Sequence, residues 1–171
     1  MDENRFWSMI EVAWGAAGGK AKARQRMTEG KASEELAYKL QEVLEEEVAP
    51  ALREQLDALS ADELLAFDRV LERRMYDIDR ADIHERTDGS DDGFLYCRGF
   101  IVGMGRAYYE AVSANPDRAV TDAECGEMCY ISWHLHHDKF REVPPSGISR
   151  ETQSNAAGWP PDSEPGSVLP R

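Results

Sequence analysis

Between residues 60 and 78, apolar side chains recur at steps of three and four: Leu64, Phe67, Leu71, Met75 and Ile78. That period puts one side of a helix against a core and leaves the other to water. Ser60-Ala61-Asp62-Glu63 precedes the run with capping-box spacing, a hydroxyl followed three residues later by a carboxylate that can reach back. The pattern predicts an amphipathic helix ending near Ile83. A fold containing such a face must cover it, and the neighbouring segments offer helical faces of the same kind.

Phe6, Ile10 and Trp14 step by four at the N-terminus until Gly15, Gly18 and Gly19 break the pattern. Ser33-Glu34-Glu35 is a helix start, with a capping hydroxyl and acids in the positive first turn. Leu36, Leu40, Val43, Leu44 and Val48 follow on one side, and Pro50 predicts a kink or break before Leu52, Leu56 and Leu59. Phe94, Cys97, Ile101, Met104 and Tyr108 form a stripe beside a second one of Leu95, Val102 and Tyr109. A helix apolar over that much of its girth is expected at the centre of the molecule. Gly99 and Gly103 on it predict close approach by a neighbour, and Asn115-Pro116-Asp117 ends it. A last helix is expected over about 121–140. No stretch alternates with period two for long enough to make a strand. The expected fold is all-α, a single compact domain of five or six helices over residues 1–142.

Composition sets the limits. The 171 residues carry 20 Lys and Arg against 33 Asp and Glu, a net charge of −13. No apolar run approaches the ~20 residues of a membrane span. So acidic a surface repels a polyanion, which excludes a dedicated nucleic-acid binder. Three cysteines do not make a disulfide framework. The acidic start Met1-Asp2-Glu3 lacks the basic and apolar regions of a secretory signal, so a cytoplasmic location is expected. Lys20, Lys22, Arg24, Arg26 and Lys31 make a basic island over about 15–32, expected to be a mobile linker or a frayed, solvated helix. From residue 143 to 171 Pro, Ser and Gly dominate and large apolar residues thin out, so this tail is expected to be disordered.

Several residues combine into one recognisable set. They are Phe6-Trp7, then Leu59-Ser60-x-x-Glu63-x-x-x-Phe67-Asp68, then Ser90-Asp91-Asp92-Gly93-Phe94-x-Tyr96-x-Arg98-Gly99-Phe100. Over roughly residues 1–140 the chain resembles the bacterial domain-of-unknown-function family numbered 4240. Cys97 and Phe100 stand where that family's pattern has aromatic residues. The resemblance implies an all-helical fold and carries no activity.

Four places in the chain carry residues with chemical potential. Asp91, Asp92, Arg98 and Arg106 form an acid and base set at the central helix, a candidate catalytic or ligand pocket. Set against that reading is a network tying helices together, with Ser90 or Asp91 capping the helix. Cys125, Cys129 and His136 share a helix face and are a weak zinc candidate, because two turns separate the second ligand from the third. Asp88-Gly89-Ser90-Asp91-Asp92-Gly93 imitates the start of a calcium loop, but the twelfth position is Gly99 and not a bidentate Glu. Gly15 to Ala21 lacks the hydroxyl and the preceding strand of a phosphate loop. No metal and no cofactor is expected. The expectation is a binding or regulatory domain for another protein, leaning away from an enzyme. The alternatives are the Asp/Arg pocket and an acidic inhibitor of a basic partner.

Overall fold

The structure is a computed structural model that describes residues 1–87 and 90–160. Regular structure among these residues is helical throughout, with no strand. Counting 34–57 as one continuous helix, there are eight α-helices, more than the five or six expected. They are α1 (Glu3–Ala16), α2 (Ala21–Thr28), α3 (34–57), α4 (Ala61–Asp77), α5 (Ala81–Thr87), α6 (Asp91–Gly103), α7 (Arg106–Ala114) and α8 (Gly126–Phe140). None is long and apolar enough to cross a membrane.

The extra helices come from local breaks that periodicity does not register. α4 stops at Asp77, six residues before the expected end, and α5 is a separate short helix. The expected central helix is two helices, because Gly105 takes φ 91°, a left-handed conformation open to glycine. The indole Nε1 of Trp14 donates 2.8 Å to the carbonyl oxygen of Gly103 just before this break. Pro50 does not end its helix. Leu44–Val48 forms a π turn immediately before it, and the chain runs on through Ala49–Asp57. Shifting the ladder by one residue accommodates a proline that has no amide to donate.

The basic island contains a helix. Eight of its residues form α2, which buries Met27. Arg24 lies 4.7 Å over the Trp14 ring, donates 2.8 Å to the Met104 carbonyl and pairs with Glu11 at 2.5 Å. Lys20, Lys22, Arg26 and Lys31 remain exposed.

The apolar face of α4 is buried as its period predicts, with Leu64, Phe67, Leu71 and Met75 fully covered. Its capping box is present, the Ser60 hydroxyl accepting from the Glu63 amide and the Glu63 carboxylate from the Ser60 amide. α6 is central, with Tyr96 the one residue between Gly93 and Gly103 that is not buried. α8 packs against both α4 and α6. An added Cβ at Gly99 would stand 2.4 Å from the Cys125 carbonyl oxygen, so α8 can approach this closely only because residue 99 has no side chain.

The largest correction concerns the chain after α8. Residues 143–160, expected to be disordered, lie on the helical domain. Trp159 packs against Phe94 and His84, and Arg150 is buried. The contacts that hold this segment are mainly polar, so its low apolar content does not describe them. Residues 161–171 of the expected tail lie outside the described residues.

Candidate functional site

Asp68 on α4 and Asp79 just beyond its end are 1% and 0% exposed. A carboxylate so far from water must find donors, since burial of an unpaired charge is strongly unfavourable. Both find them in the C-terminal segment. Asp68 Oδ1 accepts from Arg150 Nη2 at 2.6 Å and from the Ser132 hydroxyl of α8 at 2.8 Å. Arg150 Nη1 also donates 2.9 Å to the Cys129 carbonyl, and its guanidinium lies 5.3 Å from the Tyr130 ring. Glu72, one turn along α4, stands 3.9 Å from Arg150 Nε and 3.3 Å from Arg69.

Asp79 is a cradle for backbone. It accepts from the amides of Gln153 (3.1 Å) and Asn155 (2.9 Å), from the Ser154 hydroxyl (3.3 Å) and from Trp159 Nε1 (3.1 Å). Arg98 lies 4.0 Å away on α6 and is itself fully buried. It donates to the carbonyls of Arg150 (2.7 Å) and Met75 (3.2 Å), and its guanidinium sits 4.9 Å over the Phe94 ring. Burial lowers the Arg98 pKa from its ordinary value, with Asp79 opposing that shift. The two Asp–Arg pairs thus meet through the Arg150 carbonyl in one network joining α4, α6, α8 and the segment.

Beside this network lies an open cleft of about 380 Å³. Arg69 and Glu72 line it on α4, Trp133 on α8, and Pro144, Pro145 and Ile148 on the segment. Arg69 also donates to the Pro144 carbonyl. Asp68 Oδ2, Arg98 Nε and Arg150 Nε are buried without a hydrogen-bond partner, although Oδ2 is 3.5 Å from Arg69 Nη1.

The acid and base set read from the sequence is dispersed. Arg98 is sealed in the network. Asp91 and Asp92 are exposed in the first turn of α6, and the Asp91 carbonyl accepts from the Thr152 hydroxyl at 2.7 Å. Arg106 is exposed at the start of α7, bonded to Glu110 at 2.7 Å and Asn4 at 3.1 Å. The helix cap is Ser90, whose hydroxyl accepts from the Gly93 amide at 3.0 Å. Asp88 and Gly89 of the calcium-like loop lie outside the described residues.

Cys125, Cys129 and His136 are all buried, the first two at and just beyond the start of α8. The Cys129 thiol donates to the Leu95 carbonyl at 3.3 Å. Burial pushes both thiols up to about 12, away from the thiolate that zinc requires. Among the described residues, no group of three or more His, Cys, Asp or Glu is placed to hold a metal.

Asp68, Asp79 and Arg150 are missing from the sequence reading of the site. A signal for Asp68 was present: with Glu72 it falls on the apolar face marked out by Leu64, Phe67, Leu71 and Met75. An acid on that face must be paired. Its partner lies 82 residues away in a polar stretch, where no periodicity points to it.

The family model of a protein of unknown function, DUF4240, matches residues 1–137. This chain belongs to the DUF4240 family. No curated protein and no solved structure matches it. The family match includes Asp68, Asp79, Arg98, Tyr130 and Ser132 and ends before Arg150.

Proposed function

We propose that this DUF4240 domain binds another protein, in a reducing compartment such as the cytoplasm. The observation that supports this is the outer face of α8. Trp133 and Phe140 sit seven residues apart there, 37% and 41% exposed, and the His137 ring stacks on Trp133 at 5.2 Å. Trp133 also walls the open cleft beside Arg69 and Glu72. Exposed aromatic side chains next to a concave, partly charged surface are the chemistry of protein contacts, where Trp is a frequent energetic anchor. Three buried cysteines outside any disulfide suit a reducing compartment.

The test is affinity capture from the source cells with the wild-type chain, a Trp133→Ser/Phe140→Ser variant and a Val12→Ser/Tyr38→Ser control. One or a few proteins should be enriched by the wild type and the control and lost with the α8 variant. Equal recovery with all three would contradict an α8 contact.

A second reading draws on α3. Its exposed residues include Glu34, Glu35, Glu42, Glu45, Glu46, Glu47, Glu54 and Asp57, against exposed Lys39 and half-buried Arg53. Such a ridge suits a basic partner, whose association would be steered electrostatically. The on-rate to that partner should then fall as salt shortens the screening length. An on-rate flat with salt would remove this reading. A ligand pocket made by Asp91, Asp92, Arg98 and Arg106 draws no support from where those side chains lie.

A further inference from the structure

We propose that the trough under residues 148–155 is a recognition site for an arginine-bearing, extended segment of a partner protein, and that Arg150 occupies it in cis. This rests on the reading of the domain as protein-binding and names the chemistry of the partner.

The walls and the occupant differ in kind. The walls are side chains within the family-matched part of the chain, from the helices (Asp68, Arg98, Tyr130, Ser132) and from the turn after α4 (Asp79). The occupant lies beyond that match, is not helical at 148–155, and brings few large apolar groups. It is held as a bound peptide is held. One long side chain, that of Arg150, 5% exposed, fills a pocket, where its guanidinium is shared between Asp68, the Cys129 carbonyl and the Tyr130 ring. The segment's backbone is read at two further points. Arg98 donates to the carbonyl of residue 150, and Asp79 accepts the amides of residues 153 and 155. Backbone contacts accept any sequence, whereas the Asp68 pocket selects a guanidinium, whose fork can serve a carboxylate and a carbonyl together. Lysine presents a compact ammonium and cannot reproduce that geometry.

A partner segment must displace the tethered one. A short tether acts as a competitor at roughly millimolar effective concentration. The free trough is therefore masked until the cis contact is weakened or a partner of higher affinity arrives.

The experiment uses the full chain and a fluorescent peptide of residues 146–160. Wild-type chain should bind the peptide weakly. The Arg150→Ala chain, its Asp68 pocket vacated, should bind roughly tenfold or more tightly than wild type, as expected when a millimolar cis competitor is weakened. A peptide with Ala in place of its arginine should not bind the vacated chain, and one with Lys should bind more weakly than the arginine peptide. A folded Arg150→Ala chain that ignores the arginine peptide, or that binds the alanine peptide equally, overturns the proposal. Arg150→Lys serves as the milder variant if Arg150→Ala does not fold. If neither folds, the segment is part of the fold and not an occupant, which also overturns it. A chain that captures a partner through Trp133 and Phe140 yet never binds the peptide keeps the protein-binding reading and loses this one.

Discussion

Gly99 and Gly103 are four residues apart on the same helix, yet they differ in what a methyl group would meet. At Gly99 the added carbon would fall 2.4 Å from the Cys125 carbonyl oxygen and 2.6 Å from Cys129 Sγ. Backbone at a helix start cannot give way without moving α8. At Gly103 the nearest atom is Leu44 Cδ2 at 2.8 Å, the end of a side chain that can rotate. Overpacking of the first kind costs about 1–3 kcal/mol, offset in part by the ~0.5–1 kcal/mol that alanine gains over glycine in a helix. Gly99→Ala should therefore lower the melting temperature by several degrees, and Gly103→Ala by clearly less, measured by circular dichroism. Equal losses would mean that α8 does not rest on Gly99.

The buried thiols give a second test at this scale. Burial raises Cys125 and Cys129 from an ordinary value of 9 to about 12. A group whose folded pKa is raised stabilises the fold fully below its unfolded value and loses that contribution as pH climbs through the folded one. Stability should thus fall between about pH 9 and pH 12. At pH 8 a thiol alkylating agent should label these cysteines at the rate of unfolding, followed by mass spectrometry with and without urea. Fast native labelling of either would contradict their burial.

What the residues disclosed follows from the same physics. Phe67, Leu71, Met75 and Ile78 lie where their spacing puts them because the hydrophobic effect acts on a repeating face. Asp68 carried a signal on that face, but Arg150 carried none. Pairing between two isolated charges leaves no period in the chain, so a segment fastened by such pairs reads as solvent-exposed.

Among the elements, α6 depends most on where it starts. Its apolar residues enter the core only if the first turn is fixed, and Ser90 fixes it by accepting from the Gly93 amide. Losing a capping side chain costs ~1 kcal/mol, up to about 2. Ser90→Ala should lower the melting temperature by roughly 2–8 °C for a domain of this size. Asp91→Ala removes only an acid from the positive first turn and should cost less. An Asp91→Ala loss larger than that of Ser90→Ala would place the cap at the wrong residue. The π turn at Leu44–Val48 and the break at Gly105 belong to the same scale. Hydrophobic spacing continues across both, so periodicity marks the helices and not their interruptions.

For the whole molecule, the segment at 148–155 is ordered against the helices, fastened by Asp68–Arg150 and by the Asp79 cradle. The family-matched helices alone would leave both carboxylates without these donors, so segment and helices stabilise one another. Low apolar content describes how little this segment contributes to the core. It does not describe how firmly two buried aspartates hold it.

Hydrogen–deuterium exchange over residues 148–155 tests this most directly, in the wild type and in Arg150→Ala. The Gln153 and Asn155 amides bonded to Asp79 should be protected in the wild type and exposed in the variant, while amides in the middle of α4 and α8 stay protected in both. Exchange of residues 148–155 at the rate of an unstructured peptide in the wild type would contradict the account.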